Sequence, residues 1–304
     1  MTTEPPAGHP EAIVRPDAAG RRFTVERIAP RDSLAEFVDY YWLVRWQVPG
    51  PHRQQVVPQP RVHLAAEDGR LLVHGVTQEP FFRTLEGSGH VLGAAFHAGG
   101  FRPLLRASVG GIAGSVRPAA ELLGVDDLPV AGRILGTGDR ARMVAALEDY
   151  LLEIGPEPDP TGRQATELVA EAQRRVDITR AELLAAHAGM SLRTLQRLFT
   201  EYVGVGPKWV IQRFRILDAV AAAHAGAVTD WATLARELGF SDQAHLTRVF
   251  TQVVGTPPAS YQRQVGSTRT PATAGPGEPS RPPSRRPGRA APGRPAAARG
   301  RSPR

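Results

Sequence analysis

AELLAAHAGMSLRTLQRLFTEYVGVGPKWV, residues 181–210, and WATLARELGFSDQAHLTRVFTQVVGTPPASY, residues 231–261, are two copies of one pattern. Leu184 matches Leu234, Ala185 matches Ala235 and Gly189 matches Gly239 at an offset of fifty. Beyond the turn the offset is fifty-one, pairing Leu195 with Leu246, Arg197 with Arg248, Phe199 with Phe250, Gly204 with Gly255 and Pro207 with Pro258. Each copy is an apolar-periodic helix, a glycine, and a second helix that opens on a small polar residue. Glycine tolerates the positive φ that stops a helix, and Ser191, or Ser241/Asp242 in the second copy, can accept the free amides of the next helix. Thr179, three residues before Glu182, predicts a capping box at the start of the first copy. This is the grammar of a helix-turn-helix, written twice.

The second helix of such a unit lies in the DNA major groove with its N-terminal side chains at base edges. In the first copy Leu192, Leu195, Leu198 and Phe199 are expected to face inward, leaving Arg193, Thr194, Gln196 and Arg197 outward. In the second, Leu246, Val249 and Phe250 turn inward and Gln243, Ala244, His245, Thr247 and Arg248 outward. Arginine can pair with guanine O6/N7 and glutamine with adenine N6/N7, and the methyl groups of threonine or alanine can touch thymine. Any one such residue is ordinary on a solvated helix; the duplication gives the set its meaning. Between the copies, Lys208–Ala225 is expected to be one helix with Val210, Phe214, Leu217 and Ala221 on a stripe. Eighteen residues span about 27 Å at 1.5 Å per residue. A strut of that length could hold two recognition helices about one DNA turn, roughly 34 Å, apart. One chain would then read two successive groove segments, and its site need not be a palindrome.

These residues resemble the DNA-binding domain of the AraC/XylS family of bacterial transcription regulators, through AGMSLRTLQRLFTEYVGVGPKWV and, more specifically, ELGFSDQAHLTRVFTQVVGTPPASY. The resemblance covers about a third of the chain, from about Thr166 to Gln264. It implies that Arg193, Gln196 and Arg197 sit at base-reading positions of the first recognition helix, and Gln243, Ala244, His245, Thr247 and Arg248 at those of the second. Ser191 and Thr194 complete the expected DNA-facing set. Ala244 is smaller than the polar residue often found at its position. The family also implies double-stranded DNA and RNA polymerase as partners, activation more often than repression, and an N-terminal domain that binds a small effector, forms a homodimer, or both. Such a domain is often a cupin-like β-barrel. DYYWLVRW and LGAAFHAGGF are similar in outline to sensor domains of this kind.

The rest of the chain divides around that block. GPEPDPTG, residues 155–162, breaks any helix before it, and the periodic apolar residues stop after Gln264. The expected partition is an N-terminal domain at 1–155, a linker at 156–164, the DNA-binding block at 165–265 and a disordered Pro/Arg-rich tail at 266–304. The fold class is α+β: a small β-rich domain with helices, a possible cupin-like barrel, followed by an all-α block. Ser33–Asp39 has helical spacing. Tyr40, Trp42, Val44 and Trp46 then alternate as on a strand, and β-like runs recur at 61–65, 70–76, 81–85 and 91–97. Helices are expected near Arg117–Leu123 and at Arg140–Ile154. Tyr40, Trp42 and Trp46 either wall a ligand pocket or pack as plain core. The close pair of histidines followed by an acid that a cupin metal site needs is missing, so His63, His74 and His97 are expected to hold no metal.

Composition narrows the remaining functions. Cys is absent, which excludes thiol nucleophiles, disulfides and cysteine-ligated metals. No apolar run exceeds five residues, far short of the roughly 18 of a spanning helix, and the N-terminus lacks the pattern of a secretory leader. A cytoplasmic protein without cofactor or catalysis is expected. The net charge of +7 is uneven. Residues 266–304 carry nine Arg and one acid, residues 172–265 eleven basic and seven acidic side chains, and residues 1–171 are net acidic. The tail could add sequence-independent attraction to phosphates. Two alternatives remain at this stage: a metal-dependent enzyme joined to a DNA reader, and a non-specific nucleic-acid-binding protein.

Overall fold

Alternation along Val38–Gln47 buries Tyr41 and Leu43 while leaving Tyr40, Trp42, Val44 and Trp46 half-buried on the opposite face. The two faces of this strand are therefore already different in the sequence. In the computed structural model, which describes residues 23–56, 58–79 and 81–268, it is the longest of eight strands. The strands are β1 (Phe23–Ile28), β2 (Val38–Gln47), β3 (His52–Val56), β4 (His63–Glu67), β5 (Arg70–His74), β6 (Phe81–Leu85), β7 (Ser88–Phe96) and β8 (Val116–Pro118). Six form a sheet in the order β1-β2-β7-β4-β5-β8, and β3 pairs with β6 as a separate ribbon, all antiparallel. The pairs β2–β7, β3–β6 and β4–β5 are nested, the order in which a jelly roll winds. The sheet is open rather than a closed barrel, with β1 and β8 at its edges.

Leu43, Leu64, Ala66, Leu71, Val73, Leu92 and Ala94 bury one face of the sheet. Helices α1 (Arg102–Leu105), α2 (Ala119–Leu123), α3 (Leu128–Leu135) and α4 (Arg140–Ile154) follow. α3 packs on β4, β5 and β7, and α4 packs on α3. The helix expected over Ser33–Asp39 is a single 3-10 turn at Asp32–Leu34. β2 begins at Val38 and takes over the aromatic and β-branched residues, which prefer a pleated surface. Gly155, at φ 64°, ends α4. Helix α5 (Pro160–Arg174) then starts inside the expected linker, its first amides received by Asp159.

The C-terminal block consists of α6 (Ala181–His187), α7 (Leu192–Tyr202), α8 (Pro207–Ala225), α9 (Trp231–Glu237), α10 (Gln243–Val254) and α11 (Pro258–Thr268). α11 runs three residues past the expected end of this block; the rest of the expected tail, from Arg269, lies outside the described residues. Among the described residues two hydrophobic cores are present. The first runs from Leu34 of the N-terminal domain through α4, α5, α6 and α7 to Phe214 of α8. The second begins at Ile216, two residues later, and holds Trp231, Leu246, Phe250 and Tyr261. α8 therefore serves both cores and buries residues on more than one side, not along one stripe. Leu217 and Ala221, expected on that stripe, are only half-buried, whereas Arg213 and Arg215 are buried.

Candidate nucleic-acid interface

Both second helices are capped as their sequences dictate. Gly189 (φ 64°) turns the chain, and Ser191 Oγ accepts the Thr194 amide at 3.1 Å. Gly239 (φ 78°) does the same in the second copy, where Asp242 is the cap and accepts the His245 amide at 2.7 Å. That amide bond holds the Asp242 carboxyl below its usual pKa, as an anion at a helix N-terminus should be. The capping box expected at Thr179 does not form: α6 starts at Ala181 behind Arg180, with no side-chain cap. Thr179 faces the second subdomain instead, since a Cβ on Gly239 would come within 2.3 Å of its own Cβ.

Leu195, Leu198 and Phe199 are buried under α7, while Ser191, Arg193, Thr194, Gln196 and Arg197 are exposed along its outer side. On α10, Leu246 and Phe250 are buried and Gln243, Ala244 and Arg248 exposed. His245 and Thr247, expected fully outward, are half-buried. The His245 ring stands edge-on to Phe240 at 5.3 Å, and its Nδ1 lies 3.1 Å from Ser241 Oγ, so the imidazole braces the turn. Gln243, Ala244, Thr247, Arg248, Thr251 and Gln252 line an open concavity. Thr251 and Gln252 extend the face by another turn; their i+4 spacing from Thr247 and Arg248 was the available signal.

Two side chains missing from the sequence expectations anchor this block. Arg213 Nε donates to the Pro58 carbonyl at 2.6 Å. Arg215, 1% exposed, donates Nη2 to the carbonyls of Ala172 (2.6 Å) and Gln173 (3.3 Å) and Nη1 to that of Arg175 (3.2 Å). A cation thus caps the negative end of α5. Burial lowers the Arg215 pKa from its ordinary value.

The aromatic face of β2 is occupied by its own neighbours. The Trp42 and Trp46 rings lie over Gly93 and Gly89 of β7, where a Cβ would come within 2.3 and 2.5 Å of them. Trp42 Nε1 donates to His63 Nδ1 at 3.3 Å, Trp46 Nε1 donates to the Glu86 carbonyl at 3.0 Å, and the Arg27 guanidinium stacks 4.5 Å from the Tyr40 ring centre. His63 and His74 are cross-strand partners, His74 Nε2 lies 2.5 Å from Glu67 Oε1, and His97 Nε2 lies 3.2 Å from the Ala35 carbonyl. Among the described residues no group of three His, Asp or Glu side chains could hold a metal ion. Burial lowers the pKa of all three histidines, that of His63 to about 3. No helix of the described residues is long and apolar enough to cross a membrane.

A family model described as a helix-turn-helix domain matches residues 184–264, from within α6 to α11. The C-terminal block thus carries a helix-turn-helix domain, similar to that of AraC/XylS-family regulators. Residues 26–118, the sheet and its flanks, match a domain of unknown function (DUF6597). Among curated proteins it is similar to the regulatory protein PocR of Salmonella typhimurium, 29% identical over 119 residues, 38% of either chain. It is also similar to the transcriptional activator NphR of a Rhodococcus species, 27% identical over 249 residues, 81% of this chain and 65% of that one. The chain therefore spans less than two thirds of either relative. A crystal structure of ToxT from Vibrio cholerae aligns over 81% of this chain and 98% of its own, at 11% identity and a TM-score of 0.33.

Proposed function

We propose that the protein is a sequence-specific DNA-binding regulator that lays α7 and α10 into successive major-groove segments of one site. The observation that carries this is the repetition of one device: two capped helices, each with a buried Leu/Phe side and an exposed side bearing arginine and glutamine. The assigned roles are Arg193, Gln196, Arg197, Gln243 and Arg248 at base edges, Thr194, Ala244 and Thr247 in methyl or hydroxyl contacts, and Ser191 at the helix cap. His245 contributes by bracing its turn, with Nε2 as the ring nitrogen turned to DNA. Residues 165–265 are the reading block. Residues 1–155 sense a small effector or pair two copies, and the basic residues of 266–304 add attraction to phosphates. Activation is favoured, because the relative matched over 81% of this chain is named as an activator. The setting is the cytoplasm, with RNA polymerase as the second partner.

The test is a footprint of residues 1–268 on DNA upstream of the protein's own gene and its neighbours, at near-physiological salt. The expected result is protection over about two helical turns per protomer, lost in an Arg193→Ala/Arg248→Ala double variant. Protection that survives the double variant, or binding that tracks salt alone and ignores sequence, would overturn the reading.

A further inference from the structure

The two reading helices are held by different bodies. α10 is anchored through Leu246 and Phe250 in the second core, against Trp231 and Tyr261. α7 is anchored in the first core, the one that contains the N-terminal sheet. Residues 99–112 of the N-terminal domain lie along α5 and the C-terminal half of α7. Gly99 donates its amide to Thr166 Oγ1 at 3.0 Å, and a Cβ on Gly99 would sit 2.0 Å from the Gly162 carbonyl oxygen, so two backbones touch there. Arg102 Nε donates to Glu201 Oε1 at 2.9 Å. Ser108 Oγ donates to the Thr200 carbonyl at 3.4 Å, and Val109, fully buried, backs onto Gly204, where a Cβ would lie 3.0 Å from Val109 Cγ1. Thr200 and Glu201 are three and four residues after Arg197, one helical turn from a base-reading position.

From this we infer that the N-terminal domain, through Arg102 and the turn at Val109–Ile112, positions the first reading helix and leaves the second to α8 and its own core. The inference rests on the proposed function for its meaning at DNA, though its geometry does not. Arg102 is a positioning residue: it acts on bases only by fixing where α7 lies. Whatever the N-terminal domain binds is then felt at the α7 half of the DNA site. The α10 half keeps its affinity and serves as the constant anchor. An ion pair between the N-terminal domain and α7 suits this role, because reversing one charge replaces attraction by repulsion at the contact without opening a cavity in the core.

The test uses the full chain with Arg102→Glu, Glu201→Arg and the double reversal, read by amide hydrogen exchange without DNA and by footprinting on the site found above. In Arg102→Glu the amides of α7 should exchange at least about fivefold faster with those of α10 unchanged, and the α7 half-site should weaken by a similar factor. The double reversal should restore both. Unchanged α7 exchange in Arg102→Glu overturns the inference. So does an equal acceleration of α7 and α10, which would mark a general loss of stability, and so does a failure of the double reversal to rescue. If exchange behaves as expected but no variant and no wild-type protein gives a footprint, the DNA-binding reading fails while the positioning of α7 by the N-terminal domain stands.

Discussion

Replacing Arg215 by methionine sets two physical effects against each other. The side chain is 1% exposed, and its guanidinium donates to three carbonyls at the end of α5 while Nε faces Asp218 Oδ2 at 3.3 Å. Methionine fills much of the same volume and removes the cost of burying a cation, which in other buried ion pairs has made such replacements neutral or better. Here, however, the acceptors stay behind. The short bond to Ala172 and the bond to Arg175 are each worth about 1.5–3 kcal/mol as charged hydrogen bonds. Better apolar packing and the relieved desolvation return about 1–2 kcal/mol. The expected net loss is about 2–4 kcal/mol, measured as the change in unfolding free energy from urea titration of residues 1–268. Arg215→Lys should fall between, since one ammonium cannot reach three carbonyls. A methionine variant as stable as the wild type would refute the reasoning, because it would make the cost of burying the guanidinium as large as everything it binds.

Phe250→Ala empties the centre of the smaller core and should cost about 3–5 kcal/mol. Hydrogen exchange should accelerate by two orders of magnitude or more in α9–α11 while α7 keeps its protection, and equal loss in both would contradict two separate cores. His63 is held to a pKa of about 3 by burial, whereas an unfolded histidine takes up its proton near 6.5. Its contribution is therefore present above pH 6.5 and lost as pH falls from there towards 3. His63→Gln should lose about 2–3 kcal/mol less than wild type between pH 7.5 and 4.5, and parallel denaturation curves at the two pH values would argue against it. Arg197→Ala should lose about 1–3 kcal/mol on the specific site and little on random DNA; a uniform loss would make Arg197 a phosphate contact.

The helix-turn-helix block was legible because each of its signals is local and appears twice: the cap, the turn glycine, and the Leu/Phe positions that proved buried. Helix α4 was legible over Arg140–Ile154 because Met143, Leu147 and Leu151 recur at helical spacing. What escaped depended on partners distant in the chain. β1 (FTVERI) and β3 (HRQQV) carry charged or polar residues in place of a clear apolar alternation, and are strands because β2 and β6 pair with them. α3, with its Pro and Gly, is helical where it covers the sheet. Arg213 and Arg215 offer no sequence signal for burial, since their acceptors are carbonyls 155 and about 40 residues away. His245 is the local exception: it looked outward by helical phase, but its ring turns back on Ser241 and Phe240, four and five residues earlier, a contact that phase alone does not give.

The boundary between the two cores falls inside α8, between Phe214 and Ile216, and this matters to anyone who would graft a new sensor onto this reader. A junction at residues 156–164, where the sequence invites the cut, would strip α5, α7 and α8 of the surface that Gly99, Val109 and Pro58 cover. The transplant would uncover Gly204, which Val109 backs, and leave the Arg213 bond to Pro58 broken. A chimera joined there must bring the donor's own counterpart of residues 99–112. Otherwise it would aggregate through the uncovered apolar face, and its failure would be blamed on the new sensor and not on the seam.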